Sequence, residues 1–392
     1  MSAARPPAGG SPATLILSDL HLGSRSGADL LRRADVRARL LAELAEVERV
    51  VLLGDALELR HGPMRDALAL ARPFFEELGR ALAGRELVIV AGNHDHALVE
   101  PWLAARGEEG APPPLSLEQL LEPGQVSGAL ERIAGWASPA RLRVAYPGLW
   151  VREDVYAMHG HYLDCHLTVP TLERLSVGAM SRLLGRPAST FACVGDYEAV
   201  SAPMFAWRDA VARDAATGAA LNGMATVSAW DVLSGRGARG RGLAGIARRA
   251  RRRLLAAGFP VAVAALNRAG VGPLRPELSL GELRRAGLLA MGEVAARLGL
   301  GDAHVVFGHT HRAGPLPGDR PAEWLGRAGA RLVNCGSWTY SSIFVTDTPG
   351  ESPYWPGACV FVGPDGPPQL RRLLQDRSRE QIARRAAAGV GA

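Results

Sequence analysis

Five short apolar runs, each ending abruptly in a polar cluster, constrain this chain more than any other feature. Thr14–Leu17 leads into Ser18-Asp19-Leu20-His21, and Val50–Leu53 into Gly54-Asp55. Leu87–Val90 leads into Gly92-Asn93-His94-Asp95, and Val155–Met158 into His159-Gly160-His161. His304–Phe307 leads into Gly308-His309-Thr310-His311. Runs of this length, rich in β-branched residues and closed by turn formers, read as buried strands. Between the first three lie Ala28–Val47 and Ala67–Leu82, with apolar residues at three- and four-residue spacing, as in amphipathic helices. Strand–helix alternation predicts an α/β core. Ligands in such sheets collect beyond the carboxyl ends of strands, so one fold can bring all five clusters to one rim.

The clusters concentrate one kind of chemistry. Six of the ten histidines fall in them: His21, His94, His159, His161, His309 and His311. Asp19, His21, Asp55, Asn93, His159, His309 and His311 offer carboxylate, imidazole and amide oxygen, which suit a borderline or harder divalent ion. Seven such ligands exceed the needs of one tetrahedral zinc and suit two ions sharing a carboxylate. The cysteines Cys165, Cys193, Cys335 and Cys359 are widely spaced and form no CxxC pair. Neither a disulfide framework nor a cysteine zinc site is expected, and a reducing cytoplasm fits best.

In order, DxH, GD, GNHD, HGH and GHTH resemble the motifs of the calcineurin-like metallophosphoesterases, over roughly residues 13–166 and 302–345. The resemblance implies a layered α/β/β/α core and a dinuclear-metal phosphoesterase using manganese, iron or zinc. It assigns Asp19, His21, Asp55 and His311 to a first ion, and Asp55, Asn93, His159 and His309 to a second. A metal-activated water would then cleave a phosphomonoester, phosphodiester or pyrophosphate. By the same resemblance His94 acts on the phosphate, as a cationic imidazole oriented by Asp95. His161 is expected to face substrate or to support the ligands. Glu58 stands where relatives often carry another acid, and a loop-stabilising role is at least as good a reading as a catalytic one. The turn at Asn334-Cys335-Gly336-Ser337 is read as a plain tight turn.

The predicted organisation is a core in two parts, 13–166 and 301–363, separated by a helical cap or insertion over 167–300. A connection of that length must carry structure of its own. Residues 107–128 are read as a surface excursion, and the Arg-rich tail 364–392 as frayed or a single exposed helix. The cap's position, with the DxH and GHTHR blocks, resembles UDP-2,3-diacylglucosamine pyrophosphatases, which act on a lipid-linked pyrophosphate. The chain departs from them at His94, where they typically carry Arg.

The formal charge is +6, and with no Lys in the chain every basic residue counted is Arg. This reads as a compositional bias and gives little support for a nucleic-acid partner. The insert carries a run of acid-free arginines from Arg236 to Arg253, followed by the apolar Leu254–Leu266. That pattern fits a peripheral membrane contact, a grip on substrate phosphates, or simply a solvated helix before a buried one. A phosphorylated small molecule or lipid-linked substrate is the expected partner. No secretory leader or spanning helix is expected. Two other readings stand beside the enzyme: a metal-bound interaction scaffold, and a metal-dependent nuclease.

Overall fold

The computed structural model describes residues 10–108, 112–213, 258–277, 279–346 and 348–384. It is a mixed α/β structure. Strands β1 (Thr14–Leu17), β2 (Arg49–Leu53) and β3 (Glu86–Val90) run parallel, next to one another. Their residues are buried on both faces, apart from the leading residues of β2 and β3, which explains their continuous apolar runs. A second parallel set comprises β6 (Val155–Met158), β7 (His304–Phe307) and β9 (Arg331–Cys335).

The two sets are joined by a strand that the apolar pattern did not reveal, β5 (Arg141–Arg152). Its first half runs parallel to β3, ending with Ala145 opposite Val90. Its second half pairs antiparallel with β6, so that Met158 returns to lie opposite Gly148. The carboxyl end of β6 therefore comes back to the level where β3 ends. This long strand, changing partner around Pro147, is why the polar clusters of both sets share one rim. Proline lacks an N–H for the ladder, and here it falls where the ladder changes hands.

Strands β4 (Glu118–Leu121), β8 (Ala313–Gly314), β10 (Ala358–Val362) and β11 (Gln369–Arg372) complete the sheet. The hydrogen-bonded order is β11-β10-β1-β2-β3-β5-β6-β7-β9-β8, with β4 beside β5. Two expectations need correction. The excursion at 107–128 contains β4, antiparallel to β5. The tail expected to fray supplies the edge strand β11, and Leu373 and Leu374 behind it are buried.

One face of β1–β3 presents Leu15, Leu17, Val50, Leu52, Leu87 and Ile89 to helices Ala34–Leu41, Met64–Ala81 and Gly128–Trp136. The helix Met64–Ala81 answers with Ala67, Leu68, Ala71, Phe74, Phe75 and Leu78, the spacing of one helical face. The alternate strand residues, Ile16, Val51, Val88, Ala145, Ala157, Val306, Val333 and Val360, form a core made of strands alone. Val360 and Val333 belong to strands near opposite ends of the hydrogen-bonded order. The sheet therefore bends over and closes on its own inner face.

The described residues between β6 and β7 are mainly helical: Leu172–Leu183, Val194–Arg213, 258–268 and Leu280–Arg297. They share a core with the sheet, in which Val177, Tyr197, Phe205, Met291 and Val294 meet Tyr156, Met158, Val305 and Phe307. Two parallel strands need a crossover, and Leu280–Arg297 is its last leg. Ser279 caps that helix by accepting from the Glu282 backbone N–H at 3.0 Å. The stretch Arg236–Arg253 and the start of Leu254–Leu266 lie outside the described residues. Among the described residues, no helix is long and apolar enough to cross a membrane.

Behind the β1 loop lies Asp29, fully buried, accepting from Gly23 N–H at 2.9 Å and facing Arg32 at 3.3 Å. Burial, partly opposed by Arg32, pushes its carboxyl from 3.8 up to about 6. Between those values the folded chain holds a proton that the unfolded chain has lost. The Asp29 contribution is thus fully present below pH 3.8 and is lost as pH rises through about 6. Asp29→Asn should remove this slope. Urea unfolding at pH 5 and pH 7 should show the variant gaining on the parent as pH rises.

Candidate metal centre

The strand ends bring Asp19, His21, Asp55, Asn93, His159, His309 and His311 into mutual contact. His311 Nε2 lies 3.2 Å from Asp19 Oδ1 and 3.2 Å from His21 Nε2. His21 Nε2 stands 3.7 Å from Asp55 Oδ2, and His159 Nε2 stands 3.2 Å from the same oxygen. Asn93 Oδ1 is 3.0 Å from both His159 Nε2 and His309 Nδ1. Three groups have ligand atoms within 4.8 Å of one another: Asp19–His21–His311, His21–Asp55–His94 and Asp55–His159–His309. Each can hold a metal ion.

The outer sides of the rings fix which nitrogen faces inward. His21 Nδ1 meets Glu58 at 3.1 Å, and His309 Nε2 meets Asp164 at 3.0 Å. His159 Nδ1 meets the Leu53 carbonyl at 3.0 Å. Ionised carboxylates and carbonyls only accept, so these three nitrogens donate. The inward nitrogens, His21 Nε2, His159 Nε2 and His309 Nδ1, are left as lone pairs in the neutral rings. They converge with Asp55 Oδ2, Asn93 Oδ1 and Asp19 Oδ1, which is buried without a hydrogen-bond partner. A cluster of inward acceptors is satisfied only by positive charge, and the outward bonds are those that orient metal-bound imidazoles. The donor set therefore fits a divalent cation.

Titration behaviour agrees. Burial lowers His21, but the Glu58 hydrogen bond and Asp55 outweigh it and raise the ring to about 9. Burial lowers His159 as well, and Asp55 raises it to about 9. Burial raises Asp19, yet His311 brings it down to about 2. Asp55, also raised by burial, is held well below its usual value by His159 and His94. Without a metal, protons occupy the places that a cation would take.

The backbone is strained at this site. Among the described residues, the non-glycine residues with positive φ are Asp19 (55°), His21 (45°), Asp55 (52°), His309 (64°) and His311 (56°). All five belong to the seven clustered residues. Left-handed backbone costs free energy in L-residues and persists only where the surroundings impose it. Asn334, at the end of β9, braces the last of these loops by donating to the Gly308 carbonyl at 2.9 Å and to Thr310 at 3.0 Å. The turn after β9 thus does more than reverse the chain.

Three expectations about individual residues change. Asp95 does not orient His94; its buried carboxylate accepts from the backbone N–H groups of Gly92, Asp55, Ala56 and Leu57 at 2.6–3.3 Å. It ties the β2 and β3 loops together. His94 is held by Glu58, whose oxygens lie 2.8 and 3.0 Å from Nδ1. Burial, only partly opposed by Glu58, lowers His94 to about 4, so the ring rests neutral at pH 7 and not as a cation. His161 does not face the cleft. It is buried edge-on against Tyr162 and Phe205, at centroid distances of 4.8 and 5.3 Å, and neither ring nitrogen has a hydrogen-bond partner.

The cluster floors a cleft of about 420 Å³. Its wall includes His61 and His94, and Leu163, Leu167, Leu283, Leu288 and Tyr354 give it an apolar part. Arg284, stacked 5.1 Å over Tyr354, supplies a positive charge on that wall. No family model matches the chain, and no curated protein matches it.

Proposed function

We propose that this chain is a dinuclear-metal phosphoesterase, with a layered α/β/β/α core and residues 167–300 as a helical cap. The observation that carries the reading is the convergence of inward acceptor atoms from five loops, with the outer nitrogens of His21, His159 and His309 tied back. Asp19, His21, Asp55 and His311 would hold one ion, and Asp55, Asn93, His159 and His309 the other, whether manganese, iron or zinc. When bound, such ions lower the pKa of water and neutralise phosphoryl oxygens.

The chain's own residues supply the rest. The strained loops hold the ligands in place before substrate arrives, so little reorganisation is needed. His94, with Nδ1 anchored to Glu58, turns Nε2 to the cleft. A phosphate dianion there favours the protonated ring, and Nε2 can pass that proton to the leaving oxygen. Arg284 and the apolar wall suit a phosphate ester or pyrophosphate whose remainder is partly apolar, which keeps a lipid-linked substrate within reach.

The test is hydrolysis by metal-stripped protein with Mn²⁺, Zn²⁺ or Mg²⁺ restored, over a nitrophenyl phosphate, a bis-nitrophenyl phosphate, a cyclic nucleotide and a UDP-sugar. Metal-dependent turnover is expected, and the panel ranks monoester, diester and pyrophosphate. His94→Ala should keep its ions and lose about 10²–10⁴-fold in turnover, the range for a general acid. A protein that binds no divalent ion would end the proposal.

A further inference from the structure

Sequence leaves Glu58 between a loop-stabilising and a catalytic role, and its side chain touches both functions of the site. Its carboxylate is 3 % exposed and reaches two imidazoles at once. Oε2 lies 3.1 Å from His21 Nδ1 and 2.8 Å from His94 Nδ1, while Oε1 lies 3.0 Å from His94 Nδ1 and accepts from Arg60 N–H at 3.1 Å. The two rings meet edge to face at 4.7 Å. A carboxylate accepting from both Nδ1–H groups sets both tautomers. It turns the His21 lone pair toward Asp19, Asp55 and His311, and leaves His94 Nε2 for the cleft.

We infer that Glu58 is a positioning residue that couples metal binding at His21 to the orientation of His94. The inference rests on the dinuclear-metal reading above. It replaces the Asp95–His94 pair expected from sequence with a single carboxylate serving both the ion and the acid. Asp95 cannot share this task, since its oxygens are taken by four backbone N–H groups.

Glu58→Gln tests it. The amide drops the charge and has one accepting oxygen; with that oxygen at Oε1, where it keeps the Arg60 N–H and His94, its NH₂ faces His21 Nδ1–H and that imidazole loses its anchor. Calorimetric titration of metal-free protein with Mn²⁺ should show affinity weakened by about tenfold or more, the scale on which groups behind metal ligands act. At saturating Mn²⁺, kcat should fall while KM changes little. In a His94→Ala background, Glu58→Gln should still weaken Mn²⁺ binding but lower kcat no further. A purely structural role would move none of these at unchanged melting temperature. If Glu58→Gln fails to fold, Glu58→Asp, which retracts the carboxylate by one methylene, should show the same pattern. Unchanged Mn²⁺ affinity in the variant, with tight binding by the parent, overturns the inference alone. So does a kcat fully restored by excess Mn²⁺. A parent that binds no Mn²⁺ overturns the metal reading and this inference together.

Discussion

Asp55→Ala should lose bound metal and, with it, metal-dependent turnover by about 10²–10³-fold or more, at least the scale of removing a central electrostatic group from an active site. Asp55 faces both halves of the proposed centre. Oδ2 is approached by His21 Nε2 at 3.7 Å and His159 Nε2 at 3.2 Å, and it belongs to two of the three candidate groups. Oδ1 accepts from the His94 N–H at 2.7 Å, so truncation also frees the loop carrying His94. In the metal-free chain, Asp55 is the main support for the raised pKa of His159. Its loss should therefore lower that pKa as well. Ion stoichiometry by elemental analysis, with turnover on the best panel substrate, checks this. Asp55→Asn, which keeps the shape and drops the charge, separates geometry from electrostatics. Full ion content and full turnover in Asp55→Ala would remove Asp55 from the centre.

Gly54→Ala should cost about 2–5 kcal/mol of stability. Gly54 has φ +80°, a left-handed conformation that costs an L-residue roughly 1–2 kcal/mol. The added methyl would also stand 2.6 Å from His159 Cβ and against the ring. That ring is fully buried and bonded to the Leu53 carbonyl, so it has no open direction in which to retreat. Overpacking of this kind adds about 1–3 kcal/mol. Urea unfolding of metal-free parent and variant reads the loss, and Mn²⁺ affinity should fall with it because His159 is displaced. Equal stability would show that β2 and β6 do not approach as closely as described.

The strand ends were legible because composition and periodicity act locally there. Thr14–Leu17, Val155–Met158 and His304–Phe307 are strands at the expected bounds. β5 was not legible. Its apolar residues serve two different partners, its ends carry Arg141 and Arg152, and Pro147-Gly148 at its middle looks like a turn. β11 was hidden for a related reason: an edge strand needs little apolar patterning, and Gln369-Leu370-Arg371-Arg372 has little. At the site, the residues offering ligand atoms could be found by type and spacing. The groups behind them could not. Glu58 reaches His21 across 37 positions and Asp164 reaches His309 across 145, distances at which sequence spacing carries no geometric information. His161 misled because it shares a motif with His159, while its surroundings come from Phe205 on a distant helix.

The bent sheet also imposes a timetable. Asp19, His21, Asp55 and Asn93 belong to neighbouring strands whose connections are short, so a growing chain can assemble them early. His159 waits on the return of β6 along β5, and His309 and His311 arrive only when β7 docks beside β6 across residues 159–303. Closing such a span is entropically costly and slow relative to local pairing. A nascent chain therefore carries four, then five, of the seven clustered residues until His309 and His311 are made. On the dinuclear-metal reading, the complete site would form only after the distant strand has closed the rim.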